Sequence, residues 1–330
     1  MTRQRTILVT GGGGFLGGAI VRMLRAKGET VRSLSRNTYP ELARLGVEQI
    51  QGDIADADAV MDACRNVEAV FHVAARVGVW GGFESFYQTN VQGTKNIIRG
   101  CIRCRVRRLI YTSSPSVVFD GGDMEGLDES APYPARYHSQ YSHTKALAEQ
   151  KVLAVARNGL AAVVLRPHLI WGPGDNHLVP RILARARRLR RVGDGGNKVD
   201  TIYMDNAARA HLLAEAQLKA EPSLSGRVYF ISQDDPIPLW EMIDKILAAG
   251  GQKPVTKTIS PGLAWAAGAF CEALYKLLRL KSEPPMTRFV ARELATAHWF
   301  NIEAAKKDLG YAPKVSTPEG LKRLAQWLEK

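Results

Sequence analysis

Short apolar runs alternate with helical patterns through the first half of the chain, a rhythm that predicts a parallel sheet covered on both faces. Thr6 to Val9, Val31 to Ser35, Val47 to Gln51, Ala69 to Ala74, Arg108 to Thr112 and Ala161 to Leu165 read as six strands. Between the first two, Leu16, Ile20 and Leu24 recur on one face of a helix that Gly28 ends. Asp56 reads as the N-cap of the next helix, and Glu84 to Cys101 and Tyr141 to Arg157 as two longer ones. Six strands separated by helices in this order describe an α/β fold with a doubly wound parallel sheet. After Pro167 the rhythm changes. Trp171 to Asp175 is a loop by composition, and the remainder mixes helices with short strands. That mixture predicts a second, smaller α/β domain, with Gly226 to Ser232 returning to the main sheet as one more core strand.

Thr6 to Gly18 reads TILVTGGGGFLGG, a strand running into a glycine-rich turn and then a helix. Gly12, Gly14 and Gly17 satisfy GxGxxG, and Gly11, Gly14 and Gly17 satisfy the related GxxGxxG. Without side chains the backbone can approach a pyrophosphate, and the helix N-terminus offers free N–H donors to it. The first domain, residues 1–175, is therefore expected to be a Rossmann dinucleotide-binding domain. Residues 176–330 form an interleaved substrate domain. At the end of the second strand an acid would favour NAD, whereas the chain has Ser35-Arg36-Asn37. Arg36 points to NADP(H) over NAD(H).

Tyr141 and Lys145 lie four apart on one predicted helix, so their side chains share a face. An ammonium one turn away is expected to stabilise the phenolate and lower the phenol's pKa. The pair could then give a proton to a carbonyl oxygen or take one from an alcohol. Thr112, Ser113 and Ser114 end the fifth strand, where the crevice of an open α/β sheet lies. A hydroxyl there can polarise the substrate oxygen, and the residues alone leave open which of the three does so.

Composition adds bounds. Of 330 residues, 45% are hydrophobic and 23% charged, which suits a globular protein with a sizeable core. The net charge is +13, much of it in Arg99–Arg108 and Arg181–Arg191. Arg181, Arg185 and Arg188 recur at helical spacing, the pattern of a solvated face, and no nucleic-acid motif accompanies the charge. Cys101 and Cys104 form a CxxC late in a helical pattern, where core or surface thiols are expected rather than a redox site. His138, His143, His168 and His177 lack ligand spacing, so no metal is expected. Thr6 to Val9 reads as a strand rather than as part of a signal peptide, and a cytoplasmic protein is expected. Pro261 to Leu280 comes nearest to a membrane span, but Glu272 and Lys276 interrupt it. Its broad apolar face suits part of a substrate pocket, a membrane-facing lid with peripheral contact, or a helix packed on the core.

TGGGGFLG, Ser114, YSHTK from Tyr141 to Lys145, LRPHLIWGPGD from Leu165 and VDTIYMDNAARAH from Val199 resemble the extended short-chain dehydrogenase/reductases. Within them, YTSSPSVVFDG is most similar to the branch of 3-beta-hydroxysteroid and sterol-4-carboxylate 3-dehydrogenases. WGPGD, GNKVDT and EPPMTRF resemble the bacterial 2-alkyl-3-oxoalkanoate reductases of olefin synthesis. The resemblance implies Tyr141 as acid/base, Lys145 as ribose anchor and pKa modifier, and Ser114 as the polarising hydroxyl. It also implies that Gly11, Gly14, Phe15, Leu16 and Gly17 bind the cofactor, with Asp53 and Ile54 at the adenine. Ala74, Ala75 and Pro167 would line the rest of that site.

The expected activity is NADP(H)-dependent reduction of a 3-oxo acid with long alkyl chains, or of a related apolar substrate such as a sterol. A nucleotide-sugar epimerase or dehydratase is the alternative on the same fold. Pro115 and Ser116 stand where sugar dehydratases carry acids, and Phe119-Asp120 where many members have Tyr-Gly. A non-catalytic NADP-sensing regulator would not need both Tyr141 and Lys145. The resemblance leaves room for a homodimer and for assembly with other olefin-pathway enzymes.

Overall fold

A computed structural model describes residues 5–280 and 282–329. Seven strands form one all-parallel sheet: β1 (Thr6–Thr10), β2 (Thr30–Ser35), β3 (Glu48–Gln51), β4 (Ala69–His72), β5 (Arg108–Thr112), β6 (Ala161–Pro167) and β7 (Val228–Ile231). Their order is β7-β6-β5-β4-β1-β2-β3, so the direction of winding reverses between β1 and β4. That reversal opens a crevice at the carboxyl ends of the central strands. Ile7, Leu8, Val9, Val70, Phe71, Leu109 and Ile110 are fully buried, as strands covered on both faces require.

Helix α1 (Phe15–Ala26) starts directly from the glycine turn and buries Leu16, Ile20, Val21 and Leu24 against the sheet. The predicted helix from Glu84 to Cys101 is longer and not uniform: Phe83–Phe86 and α2 (Gly93–Arg103) flank a π-helical turn over Tyr87–Gln92. Helix α3 (Gln140–Ala156) begins where the Ser139 side chain accepts from the Ser142 N–H. Strand β4 ends two residues earlier than expected, because the Val73 and Ala74 N–H groups turn aside to the Thr10 hydroxyl, 3.1 Å from each. This turn carries the following loop out of the sheet and over the crevice.

A four-stranded mixed sheet joins Met124–Leu127, Lys198–Val199, Ile237–Pro238 and His298–Phe300. The interleaving goes beyond the strand near residues 226–232. Met124–Leu127, from the first half, sits in the smaller sheet, while helix α5 (Met204–Ala220), from the second half, packs on α1, β5 and β6. The basic stretch forms helix α4 (Leu178–Arg185), where Arg181 and Arg185 both pair with Glu283. Cys101 is buried, Cys104 lies 3.7 Å from the Met61 carbonyl, and both are free thiols.

Helix α6 (Pro261–Leu277) packs through a narrow side of small residues. A side chain on Gly268 would stand 2.6 Å from the Thr287 carbonyl carbon, so this helix and the segment before α7 (Arg288–Glu293) touch backbone to backbone. Its broad face stays open: Phe270 is 68% and Leu277 78% exposed, with Leu263 and Leu274 in line with them. Core packing therefore does not account for the apolar face. Among the described residues, no helix is long and apolar enough to cross a membrane.

Candidate active site

The crevice is a cavity of about 690 Å³. The glycine turn forms its floor. Gly11 has φ +70°, a conformation that L side chains resist, and a Cβ on Gly17 would stand 2.1 Å from the Gly11 carbonyl oxygen. The first turn of α1 has neither a side-chain cap nor an acidic residue, which leaves its N–H groups and positive dipole end to a ligand. Gly11, Gly14, Phe15, Leu16 and Gly17 all line the cavity. So do Arg36, Asp53, Ile54, Ala74, Ala75 and Pro167, which the structure brings together from four strand ends. Arg36 is exposed at the end of β2 and makes no ion pair among the described residues. Asp53 is half-buried, and its carboxylate accepts from the Ala55 N–H at 2.9 Å.

Ser114, Tyr141 and Lys145 also line the cavity. The three hydroxyls that end β5 have different partners. Thr112 Oγ1 lies 2.9 Å from His211 Nε2, and Ser113 Oγ donates to the buried Glu149 carboxylate. Ser114 caps the short turn Pro115–Val118, with its Oγ 3.0 Å from Ser116 Oγ, and its hydroxyl is near enough to the Tyr141 phenol to favour the phenolate. Only Ser114 of the three is therefore placed beside the phenol.

Lys145 Nζ donates to the Thr112 carbonyl at 2.6 Å and lies 4.3 Å from the centre of the Tyr111 ring. Burial lowers its pKa to about 7, with the Glu149 carboxylate opposing that fall. Burial also pushes the Tyr141 phenol up to about 12, opposed by the Ser114 hydroxyl. The phenol's shift is thus the reverse of the one expected from a neighbouring ammonium. Desolvation of the buried phenol sets the direction. The Tyr141 phenol is consequently neutral near pH 7.

Beneath this face lies a buried polar network that sequence spacing does not reveal. Glu149 accepts from Arg166 Nη2 at 2.5 Å, Arg166 Nε at 3.2 Å and the Tyr133 hydroxyl at 2.8 Å. Asn90, in the π turn, accepts from the Arg76 N–H at 2.7 Å and donates to the Arg76 carbonyl at 3.0 Å. The same amide donates to Thr144 Oγ1 at 3.1 Å. A buried Asn in mid-helix was the available sequence signal for this clamp; nothing in the spacing named its partners. Arg76, Val77, Thr89 and His177 are among the residues that line the cavity beyond the predicted set. The four histidines weighed for metal fall on separate partners: His138 on the Asp120 carbonyl, His143 stacked on Tyr137, His168 on the Asp200 carbonyl and His177 at the start of α4. None of residues 261–280 lines the cavity, so α6 is not part of a pocket at this place.

Residues 8–259 match the 3-beta hydroxysteroid dehydrogenase/isomerase family. The chain is 51% identical over 322 residues to the 2-alkyl-3-oxoalkanoate reductase of Stenotrophomonas maltophilia, covering 96% of this chain and 98% of that one. It is 47% identical to the reductase of the same name from Shewanella oneidensis, over 96% of this chain and 84% of that one. Among solved structures, a dTDP-glucose 4,6-dehydratase double mutant from Streptomyces venezuelae with bound NAD superposes with a TM-score of 0.76. It is 25% identical, over 98% of this chain and 97% of that one.

Proposed function

The chain belongs to the 3-beta hydroxysteroid dehydrogenase/isomerase family and is an oxidoreductase acting on a CH–OH or C=O group; from that premise we propose that it is an NADP(H)-dependent reductase of 2-alkyl-3-oxoalkanoates. The observation that carries the reading is the convergence of Ser114, Tyr141 and Lys145 on one wall of a cavity whose floor is the glycine turn. The names and near-complete coverage of the relatives supply the substrate class. The glycine turn and first turn of α1 would hold the pyrophosphate, and Asp53 and Ile54 the adenosine. Arg36 would hold the extra phosphate of NADP and Lys145 the nicotinamide ribose. When bound, the cofactor supplies the hydride to the carbonyl carbon.

The protein's own contribution is to orient and protonate the oxygen. Ser114 and Tyr141 are adjacent hydroxyl donors at the mouth of β5, placed to grip a carbonyl oxygen together. Their field favours the negative charge that develops there during reduction. Tyr141 then gives up its proton, which burial has kept on the phenol. Lys145, one turn on, would steady the resulting phenolate once the substrate oxygen has taken the proton. The same reading assigns the open apolar face of α6 to peripheral contact with lipid, from which long-chain substrates would be drawn.

Tyr141→Phe tests the assignment. Turnover should fall by roughly 10²-fold or more while NADPH binding, followed by fluorescence titration, stays unchanged. Near-normal turnover would remove Tyr141 from the mechanism.

A further inference from the structure

We propose that Arg76 binds the carboxylate of the substrate, so that the site selects an oxo acid by its acid group as well as by its carbonyl. This rests on the 3-oxo acid reading above. In such a substrate the carboxylate stands only one carbon away from the carbonyl carbon. When Ser114 and Tyr141 hold the carbonyl oxygen, the carboxylate is drawn in beside them, and an unpaired carboxylate taken out of water is costly. A cation must face it.

Four side chains able to carry positive charge line the cavity: Arg36, Arg76, Lys145 and His177. Arg36 lies at the end of β2, with Asp53 and the adenosine end of the crevice. Lys145 is engaged with the Thr112 carbonyl. An imidazole is a weak cation at neutral pH, whereas a guanidinium is always charged and offers a fork that matches both carboxylate oxygens.

The main chain of Arg76 is fixed relative to Tyr141. Its N–H and carbonyl are both held by the Asn90 side chain, at 2.7 and 3.0 Å. Asn90 is 2% exposed, and its amide reaches Thr144, which stands on α3 between Tyr141 and Lys145. The π turn over Tyr87–Gln92 is what carries Asn90 into that position, and such turns recur where a helix serves a site. The guanidinium itself lies 5.0 Å from the centre of the buried Phe86 ring and makes no ion pair among the described residues. The main chain of Arg76 is locked to the catalytic helix, and its charge is left for a ligand.

The test compares a 2-alkyl-3-hydroxyalkanoate with its methyl ester, oxidised by NADP+, in the wild type, Arg76→Gln and Arg76→Lys. The ester keeps the chains and the reacting carbon and lacks only the charge. Arg76→Gln should lower kcat/KM for the acid by about 10²-fold and leave that for the ester within about 2-fold. Arg76→Lys should recover part of the loss. An unchanged kcat/KM for the acid would overturn the proposal, and so would an equal loss on acid and ester. A raised KM for NADP+ with the acid's own KM unmoved would assign Arg76 to a cofactor phosphate instead. A wild type that oxidises neither compound would overturn the 3-oxo acid reading itself, a result that the Arg76 variants cannot mimic.

Discussion

Removing the charge of Glu149 should both weaken the fold and shift the pH range of activity. Glu149 is fully buried on α3, one turn beyond Lys145 and two beyond Tyr141. Its carboxylate is the partner of Arg166, which is 3% exposed, and it also accepts from Ser113 and Tyr133. Glu149→Gln keeps the volume and leaves the Arg166 guanidinium buried without a counter-charge. Breaking a buried pair from one side costs about 3–5 kcal/mol, a large share of the roughly 5–15 kcal/mol that holds a protein folded. Glu149→Leu combined with Arg166→Met should cost less than the sum of its single changes, because no orphaned charge remains. Chemical denaturation of the wild type, Glu149→Gln, the two other single variants and the double variant measures both quantities. Activity gives an independent readout. Glu149 opposes the burial that brings Lys145 down to about 7, so without it the ammonium loses its proton at still lower pH. The alkaline limb of the rate profile should therefore move to lower pH. A cost under about 1 kcal/mol for Glu149→Gln, or strict additivity in the cycle, would show that this pair is not what steadies α3.

Three further outcomes follow from named residues. Arg36→Ala should reduce the preference for NADPH over NADH by about 1–3 kcal/mol in kcat/KM, the scale of a charge-assisted hydrogen bond; an unchanged ratio would displace Arg36 as the phosphate partner. Burial lowers His72 and His168 to about 3 and His211 and His298 to about 4, while it raises Glu293 to about 8 and Asp200 to about 6. Between about pH 6 and 4.5 the unfolded chain thus holds four protons that the fold refuses, and the fold holds two that the unfolded chain has released. Stability should fall with pH there by roughly 2.7 kcal/mol per unit, and denaturation midpoints that do not move from pH 6 to 5 would contradict those burials. Phe270→Asp, at a 68% exposed position, should leave stability unchanged and weaken co-sedimentation with vesicles of anionic lipid; wild-type protein that does not sediment with them would end the lipid assignment of α6.

The strands and the glycine turn were legible because their signals are local. Apolar runs such as Ala69 to His72 are buried whatever lies beside them, and the glycines answer to the backbone's own geometry. The end of β4 was not legible, since it depends on a hydroxyl at Thr10, 63 residues from Val73. The three hydroxyls after β5 could not be told apart from their own neighbours either. Their partners, His211 and Glu149, lie 99 and 36 residues away, and those partners alone distinguish Ser114. The phenol's shift followed the same rule: the spacing of Tyr141 and Lys145 identifies the pair, whereas burial, opposed by the Ser114 hydroxyl, sets the direction of the shift. For α6 the periodicity predicted an apolar face correctly but could not tell what it meets. The contact is made by Ala264 and Gly268, and the large side chains are left open.

The central claim is that this fold reduces 3-oxo acids bearing alkyl chains with NADPH. Following NADPH absorbance against a series of 2-alkyl-3-oxoalkanoates of increasing chain length, beside 3-oxosteroids and UDP-sugars, tests it most directly. The account predicts consumption of NADPH with the oxo acids, a kcat/KM that climbs with chain length as added methylenes are buried, and little with NADH. Turnover confined to UDP-sugars, or no consumption of NADPH with any oxo acid, would contradict it.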